Sequence, residues 1–245
     1  MGIPKFVWQT WKTHTVPEKW AESPASIKAL CPDFDYRLFD DRDNLEFVER
    51  EFPQYLDLYR SFDREIYRAD MIRYLRLYKW GGVYMDLDLK LRRPLKEIFN
   101  RDCDLYLVRT PNGGGYTNSF MASKPQCPFW LRCIEEIRYR VNHKPWWIQG
   151  DWKVIWTTGP GMITKVATEY DRPFINVPYK LGHPCSVCDH HFGEAQPFPE
   201  SWVEELEGSS WTGSGVRLIH TMYCQPFTVI AVLLIVLVVL IVLLR

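Results

Sequence analysis

The triplet Asp86-Leu87-Asp88 carries the clearest chemistry in the sequence, and it follows an apolar stretch at residues 83–85. Side chains on an extended strand alternate between its faces, so we expect Asp86 and Asp88 to point the same way, with Tyr84 beside them. Two carboxylates held close together on an apolar strand repel each other and need a cationic partner. Hard oxygen ligands favour Mg²⁺ or Mn²⁺, so the triplet predicts a divalent metal site that leaves positions for phosphate oxygens.

A helix predicted at Asp63–Trp80 must position this strand, and Gly81-Gly82 supplies the C-terminal stop of that helix. A helical wheel places Asp70 inside the apolar half and Arg73, three residues on, at its edge. The opposite half carries the basic residues Arg68, Lys79 and Arg76. Charges on a buried face are paired or functional. Two interpretations are therefore open: Asp70 and Arg73 form a structural ion pair, or they face a ligand.

Shorter elements alternate along the rest of the chain. Strands are predicted at Ile3–Gln9, Tyr36–Phe39, Leu105–Arg109 and Asn118–Ser123, and helices at Pro17–Leu30, Asp43–Glu51, Pro128–Asn142 and Met162–Glu169. This alternation indicates an α/β domain. Ligands of open α/β sheets bind beyond the carboxyl ends of the strands, so Trp8 and Gln9 are candidate site residues. The alternative for Trp8 is a place in the core beneath the sheet.

Composition argues against one class of partner. Lys plus Arg equal Asp plus Glu at 30 each, so no excess of positive charge is present for DNA or RNA. The 11 Trp residues suit a protein that stacks on sugars or nucleobases, and they suit an aromatic core as well. We therefore expect no nucleic-acid partner.

One cysteine pair has the spacing of a zinc site. Cys185 and Cys188 are followed closely by His190 and His191, which together could close a tetrahedral site. No second pair of closely spaced cysteines follows them, so a loop with free thiols is the alternative.

The C-terminal segment 227–244 contains no charged residue. Its length as a helix is about 27 Å, close to the roughly 30 Å hydrocarbon core of a bilayer. We predict a single C-terminal transmembrane helix that anchors a domain of residues 1–222, the alternative being a buried core helix. The first residues contain no apolar stretch of signal-peptide length, so insertion would be post-translational or would use the tail itself. In a eukaryote we expect a Golgi or ER type of membrane.

Three segments in a fixed order point to one family. They are Ile3–Trp11, Tyr67–Tyr74 and Gly81–Asp88, all within about 90 residues. Together they resemble the glycosyltransferases with a DXD sugar-binding motif. That family includes initiation-specific α-1,6-mannosyltransferases and inositol-phosphoceramide mannosyltransferases. Segments 118–123, 158–160 and 208–211 are similar to later blocks of the same family.

The resemblance implies a GT-A fold, a Rossmann-like domain with a mostly parallel sheet flanked by helices. It also implies retaining transfer of a hexose, with mannose from GDP-mannose favoured, and Mn²⁺ or Mg²⁺ as cofactor. It assigns the metal to Asp86 and Asp88, with Asp86 also in contact with the donor sugar or ribose. It assigns the donor hexose to Asp70 and Arg73, the nucleobase to Trp8, and further donor contacts to Gln9, Tyr84 and Asn118. The catalytic set would be Asp70, Arg73, Asp86 and Asp88. The last metal ligand is open among His190, His191, Ser210 and His220.

The predicted acceptor follows from the tail. A site anchored at a membrane stays near lipids, so we expect a lipid acceptor such as an inositol phosphoceramide, or a membrane-bound glycan. The alternative function is a non-catalytic membrane protein that binds a sugar nucleotide or a glycan on a retained GT-A fold. Turnover of a nucleotide sugar distinguishes the two. No feature of the sequence identifies a regulatory or partner subunit.

Overall fold

The computed structural model describes residues 2–110, 114–182, 198–206 and 224–234, with 226 and 233 outside the last range. Its strands are β1 (Phe6–Thr10), β2 (Asp35–Phe39), β3 (Gly82–Met85), β4 (Leu89–Leu91), β5 (Leu105–Arg109), β6 (Tyr116–Ser123), β7 (Ile175–Val177) and β8 (Val203–Glu205). Six of them form one sheet in the order β2-β1-β3-β6-β5-β7. Only β6 runs against the direction of the others in this sheet, so the predicted, mostly parallel sheet is confirmed.

Helices pack on both faces of this sheet. They are α1 (Glu22–Leu30), α2 (Asp41–Glu51), α3 (Leu56–Arg60), α4 (Glu65–Trp80), α5 (Leu95–Ile98), α6 (Pro128–Asn142), α7 (Gly150–Thr157), α8 (Pro160–Thr168) and α9 (Tyr179–Gly182). Helix α2 begins with a capping box, in which Asp40 and Asp43 each accept the other's backbone N–H.

The alternation of side chains along the strands separates two apolar cores. Val7 and Val83 pack towards α1 and α5, whereas Trp8 and Tyr84 pack towards α4 and α6. Trp8 is fully buried, with its ring centroid 4.8 Å from that of Tyr84 and 6.3 Å from that of Phe39. A buried indole offers no free face to a ligand. The predicted stacking of Trp8 on a nucleobase is therefore wrong, and the alternative place in the core is correct.

Helix α4 ends where the sequence predicts. Gly81 and Gly82 have φ values of 65° and 83°, a conformation that L side chains rarely adopt. A Cβ on Gly81 would also lie 2.6 Å from the backbone nitrogen of Pro125. The chain can therefore pass directly from α4 into β3, which places the helix beside the strand that leads to the acidic triplet.

The structure corrects the helical-wheel prediction for one residue of α4. Arg76, expected on the polar half, is 1% exposed and lies over the rings of Phe39 and Phe47. Helices α2 and α3 pack against α4 on this side, so the helix is buried over more of its circumference than a two-sided wheel assumes.

The acidic triplet lies in a turn, which corrects the predicted strand. Directly after β3, the N–H of Asp86 donates to the carbonyl of Ser119 in β6 at 2.7 Å. The N–H of Leu89 then donates to the carbonyl of Asp86 at 3.1 Å and closes the turn. After it, β4 pairs antiparallel with β8 in a separate small sheet. Two carboxylates inside the central sheet would be costly to bury, whereas a turn at its edge leaves Asp86 and Asp88 partly exposed.

The predicted membrane anchor falls mostly outside the described residues. Of residues 227–244, the structure describes positions up to 234 with one gap. No helix in the described part of the chain is long and apolar enough to cross a membrane. The anchor at 227–244 and the domain boundary at 222 stay predictions.

Candidate functional site

A cavity of about 520 Å³ lies at the carboxyl edge of the parallel strands. Its walls come from the loop after β1, the N-terminal half of α4 and the turn after β3. It is lined by Asp86 and Asp88 together with Arg73, Tyr84 and Asp151 of α7. Ligands of open α/β sheets bind at this edge, in pockets of about this size.

Three carboxylates meet at the turn. The pairing of β4 with β8 places Glu205 opposite Leu89, next to the acidic triplet. Burial raises the pKa of Asp88 to about 8, and the negative charges of Asp86 and Glu205 add to this increase. Burial also raises the pKa of Asp86. Sequence reasoning missed Glu205 because it reaches the site only through a strand pairing between distant parts of the chain.

The donor set of this cluster fits a divalent cation. Carboxylate oxygens are hard ligands, and a cation among them would offset the repulsion that now favours protonation. Asp86 and Asp88 are the residues that would hold it, and no side chain among the described residues forms an ion pair or a hydrogen bond with the Asp88 carboxylate. We conclude that the triplet is suited to a metal.

A second group of metal-type side chains, His14, Asp40 and Asp43, lies at the start of α2. Both carboxylates already accept backbone N–H groups in the capping box. The imidazole Nε2 of His14 lies 3.4 Å from Asp40 Oδ2 and 3.2 Å from Asp43 Oδ2. These contacts account for the group without an ion.

Arg73 joins α4 to the acidic turn. Its Nη2 lies 3.2 Å from Asp86 Oδ1, and its Nη1 lies 3.4 Å from Asp70 Oδ1 and donates to the carbonyl of Asn118 at 3.1 Å. The guanidinium also lies 4.8 Å from the ring centroid of Tyr84, whose hydroxyl donates to Asp86 Oδ1. Burial opposes the charge of Arg73, but its anionic neighbours outweigh this effect and raise its pKa. The cavity wall therefore carries a fixed positive charge.

Asp70 and Asn118 lie behind the cavity wall. Asp70 Oδ1 accepts a hydrogen bond from Asn118 Nδ2 at 2.9 Å, and Asp70 Oδ2 accepts one from Thr158 Oγ1 at 2.7 Å. Asn118 Nδ2 also donates to Tyr74 Oη at 3.1 Å. Neither Asp70 nor Asn118 lines the cavity, so the direct donor contacts expected of them are absent from this geometry. Asp70 and Arg73 therefore form the ion pair that was one of the two interpretations of the sequence. Of the two residues, only Arg73 also lines the cavity.

Gln9 anchors the acidic turn from below. It is fully buried, and its Nε2 donates to Ser23 Oγ at 2.8 Å and to the carbonyl of Asp86 at 3.2 Å. Its Oε1 accepts a hydrogen bond from Tyr36 Oη at 2.9 Å. Because these groups are engaged within the protein, the expected donor contact of Gln9 is not found. Gln9 positions the backbone from which the Asp86 side chain projects.

Trp11 and Trp20 provide the aromatic surface that the prediction gave to Trp8. Both line the cavity, and their rings meet edge to face with centroids 4.9 Å apart. Trp11 is only partly buried. The signal that would have found it is the true end of β1: the strand continues to Thr10, so the first residue beyond its carboxyl end is Trp11.

Several predicted ligands lie outside the described residues. These are His190, His191, Ser210 and His220, together with Cys185 and Cys188. The last metal ligand and the zinc alternative therefore stay predictions.

The sheet order, the cavity at its carboxyl edge and the acidic turn are those of a GT-A-like fold. Residues 17–104 match the family described as a glycosyltransferase sugar-binding region containing a DXD motif. The resemblance drawn from the three sequence segments is confirmed.

The chain is similar to fungal proteins named as inositol phosphoceramide mannosyltransferases or mannosyl phosphorylinositol ceramide synthases. The chain is 31% identical over 228 residues to inositol phosphoceramide mannosyltransferase 3 of Schizosaccharomyces pombe, covering 90% of the chain and 59% of that relative. It is 35% identical over 223 residues to the mannosyl phosphorylinositol ceramide synthase CSH1 of Saccharomyces cerevisiae, covering 90% and 56%. The chain thus spans less than two thirds of the length of these curated relatives.

A solved structure supports the fold. The PaToxG glycosyltransferase superposes with a TM-score of 0.54 over 69% of this chain and 70% of that one, at 16% identity. This similarity concerns the fold alone.

Proposed function

We propose that this chain is a metal-dependent, retaining glycosyltransferase that transfers mannose from GDP-mannose to a membrane-borne lipid or glycan. The observation that carries the proposal is the Asp86–Asp88 turn, which lines a cavity of about 520 Å³ beside the fixed cation of Arg73. The names of the fungal relatives support mannose as the sugar and an inositol phosphoceramide as the acceptor.

The chemistry of the site agrees with this reaction. Cleavage of the bond between the sugar and the diphosphate leaves negative charge on the leaving oxygen. A divalent cation held by Asp86 and Asp88 would neutralise that charge. Arg73 is held in position before any ligand arrives, so it stabilises anionic groups without reorganisation. For retention, we propose substitution on one face of the sugar, in which the leaving phosphate accepts the proton of the acceptor hydroxyl.

The donor nucleotide has a place beside the metal turn. The partly buried ring of Trp11 lines the same cavity as the triplet and offers a surface for a base. Lys12, whose ammonium lies 5.6 Å from the Trp11 ring centroid, adds a positive charge at the same wall. We assign base binding to Trp11 and diphosphate binding to Arg73 and Lys12.

A transfer assay on the full chain tests the proposal. The protein in detergent and lipid micelles is given GDP-mannose, Mn²⁺ and an inositol phosphoceramide, with UDP-glucose and UDP-galactose as comparison donors. We expect mannosyl transfer that Asp88→Asn lowers about a thousandfold, since the variant removes a metal-binding carboxylate. Asp57→Asn is the matched control, because Asp57 is an exposed carboxylate on α3 that does not line the cavity.

Three results would overturn the proposal in different ways. Equal transfer by the wild type and Asp88→Asn would remove the triplet from the mechanism. Binding of GDP-mannose without hydrolysis or transfer to any acceptor would favour the non-catalytic alternative. Transfer from a UDP-sugar instead would change the donor and leave the class of enzyme intact.

We also propose that residues 227–244 anchor the domain in an endomembrane. Their uncharged sequence and their length support this. Extraction of membranes with alkaline carbonate is the test: an integral anchor keeps the chain in the pellet, whereas release of the intact chain into the supernatant would contradict the anchor.

A further inference from the structure

Large aromatic side chains are exposed along α6, α7 and the connection between them. They are Tyr139 at 57%, Trp146 at 80%, Trp147 at 66% and Trp152 at 46% of full exposure. Single exposed apolar residues are ordinary, but several indoles close together in sequence mark a surface that contacts a partner. Residues 143–152, which connect α6 to the first turn of α7, are named the docking loop below.

The docking loop holds its indoles on a hydrogen-bonded turn. The N–H of Ile148 donates to the carbonyl of Pro145 at 3.1 Å, and Gln149 Nε2 donates to the carbonyl of Trp146 at 2.6 Å. The rings of Trp146 and Trp147 meet edge to face with centroids 5.6 Å apart. The turn satisfies part of its own backbone, which lowers the cost of moving it out of water.

The charge around these indoles favours an anionic surface. Residues 137–149 contain no Asp or Glu. Arg138 and Arg140 are paired with Glu135 and Glu136 of the preceding turn. Lys144 forms no ion pair within the part of the chain that the structure describes. Indoles with an unpaired lysine shortly before them in the sequence match the headgroup region of a membrane, where an aromatic ring is half immersed and a lysine meets lipid phosphates.

The docking loop is continuous with the cavity. Asp151 lies within it and lines the cavity, and its Oδ1 lies 3.8 Å from Nη1 of Arg64, which also lines the cavity. Trp152 is the next residue. A surface that contacts the docking loop would therefore border the opening through which an acceptor reaches the acidic turn.

We propose that the docking loop is a membrane-contact site, in which Trp146 and Trp147 enter the headgroup region of an anionic bilayer. Contact there turns the cavity opening towards the lipid surface. The contact is additional to the anchor at 227–244, and it does not depend on the proposed transfer reaction. A lipid-contact assay therefore tests it independently of sugar turnover.

Photocrosslinking in vesicles tests the contact. The full chain carrying Trp146→p-benzoylphenylalanine is reconstituted in phosphatidylcholine with about 20 mol% phosphatidylinositol, a composition that gives a negative surface. Arg172→p-benzoylphenylalanine is the matched control, because Arg172 is exposed, lies outside the docking loop and precedes β7, an edge strand of the sheet. We expect a yield of lipid adducts about tenfold higher at position 146 than at position 172.

Two outcomes would overturn the proposal. Equal lipid adducts at both positions would show that position 146 has no special contact with the bilayer. Adducts from position 146 to another segment of this chain, or to a second protein, would show that protein covers the indoles.

A charge variant tests the contribution of Lys144 to the contact. We expect the substitution to leave the fold unchanged, because Lys144 is partly exposed and unpaired among the described residues. In the chain labelled at position 146, Lys144→Glu should lower the adduct yield about fivefold on vesicles with phosphatidylinositol. The yield on pure phosphatidylcholine should stay unchanged. The same yield from both chains on the anionic vesicles would contradict the role of charge in the contact.

Discussion

Arg73 and Arg76 lie one turn apart on α4, and both guanidinium groups are buried in different surroundings. Arg73 lies between two carboxylates and faces the cavity. Arg76 lies 3.7 Å from the ring centroid of Phe39 and is also close to the rings of Phe47 and Trp80. The hydrogen-bond acceptors of Arg76 are neutral: its Nη2 donates to Asn44 Oδ1 at 3.0 Å and to the carbonyl of Asp43 at 3.2 Å.

Arg73 is thus a buried charge that belongs to the candidate site, whereas Arg76 is a buried charge that belongs to the core. Burial lowers the pKa of Arg76 to about 9, so the group keeps its charge at neutral pH and is stabilised by ring faces and carbonyl dipoles. The carboxylates around Arg73 raise its pKa instead.

Two further pairs of near neighbours in the sequence differ in the same way. They are Trp11 and Trp8 near the end of β1, and Glu205 and Glu204 on β8. In each pair the first residue belongs to the cavity or its carboxylate cluster, and the second does not.

Replacement of the cavity arginine should have the largest effect. Arg73→Lys keeps the charge and loses the planar fork that reaches Asp70 and Asp86 together, so kcat/KM should fall about 100- to 1,000-fold. Arg76→Lys should leave kcat/KM per folded molecule within about twofold. Steady-state transfer kinetics on both variants, normalised to folded protein, measure this. Equal losses in the two variants would remove the distinction between the arginines.

Replacement of the core arginine should act on stability. Arg76→Met leaves Asn44 Oδ1 and the carbonyl of Asp43 without their donor and removes the cation from the rings, so the free energy of unfolding should fall by about 2–4 kcal/mol. Urea denaturation of the full chain in micelles is the measurement. Arg42→Met is the control, because Arg42 is an exposed residue of α2, and it should show no measurable change. A stable Arg76→Met variant would mean that the rings alone fill this part of the core.

The third comparison concerns neighbouring acids on β8. Glu205→Gln should weaken Mn²⁺ binding about tenfold, because Glu205 lies beside the two predicted ligands. Glu204 points to the other face of the strand, with its carboxylate 4.0 Å from Lys90 Nζ, and Glu204→Gln should leave Mn²⁺ binding unchanged. Titration followed by electron paramagnetic resonance of free Mn²⁺ gives both affinities. A weaker affinity in the Glu204 variant alone would place the metal elsewhere.

The smallest expected effect concerns the two tryptophans near the end of β1. Trp11→Ala should raise the Kd for GDP about fivefold through the loss of a stacking surface. Trp8→Phe should leave that Kd unchanged, since Trp8 is fully buried. Calorimetric titration of GDP in the presence of Mn²⁺ measures both. The opposite result, with the effect in Trp8→Phe, would restore the role first predicted for Trp8.

Sequence periodicity predicted the bounds of an element correctly where the residues of that element determine where it begins and ends. The bounds of β5 and α6 match the predictions, and α4 ends at Trp80, directly before Gly81, as expected. These elements have long apolar stripes or clear stop residues, so local preferences and tertiary packing agree. The acidic triplet was the exception, because the end of β3 depends on where its pairing with β6 stops, near Ser119.

Among the site residues, the sequence determined which chemical groups are present. It identified Asp86, Asp88, Arg73 and Tyr84, all of which line the cavity, since carboxylates and a cation next to an apolar strand need each other. Only the tertiary structure decided which neighbours reach the cavity. It placed Asp70 and Gln9 behind the wall, put Trp11 rather than Trp8 in the lining of the cavity, and brought Glu205 next to the acidic turn. The physical reason is that burial and hydrogen-bond partners come from segments far apart in the chain, and no local pattern records them.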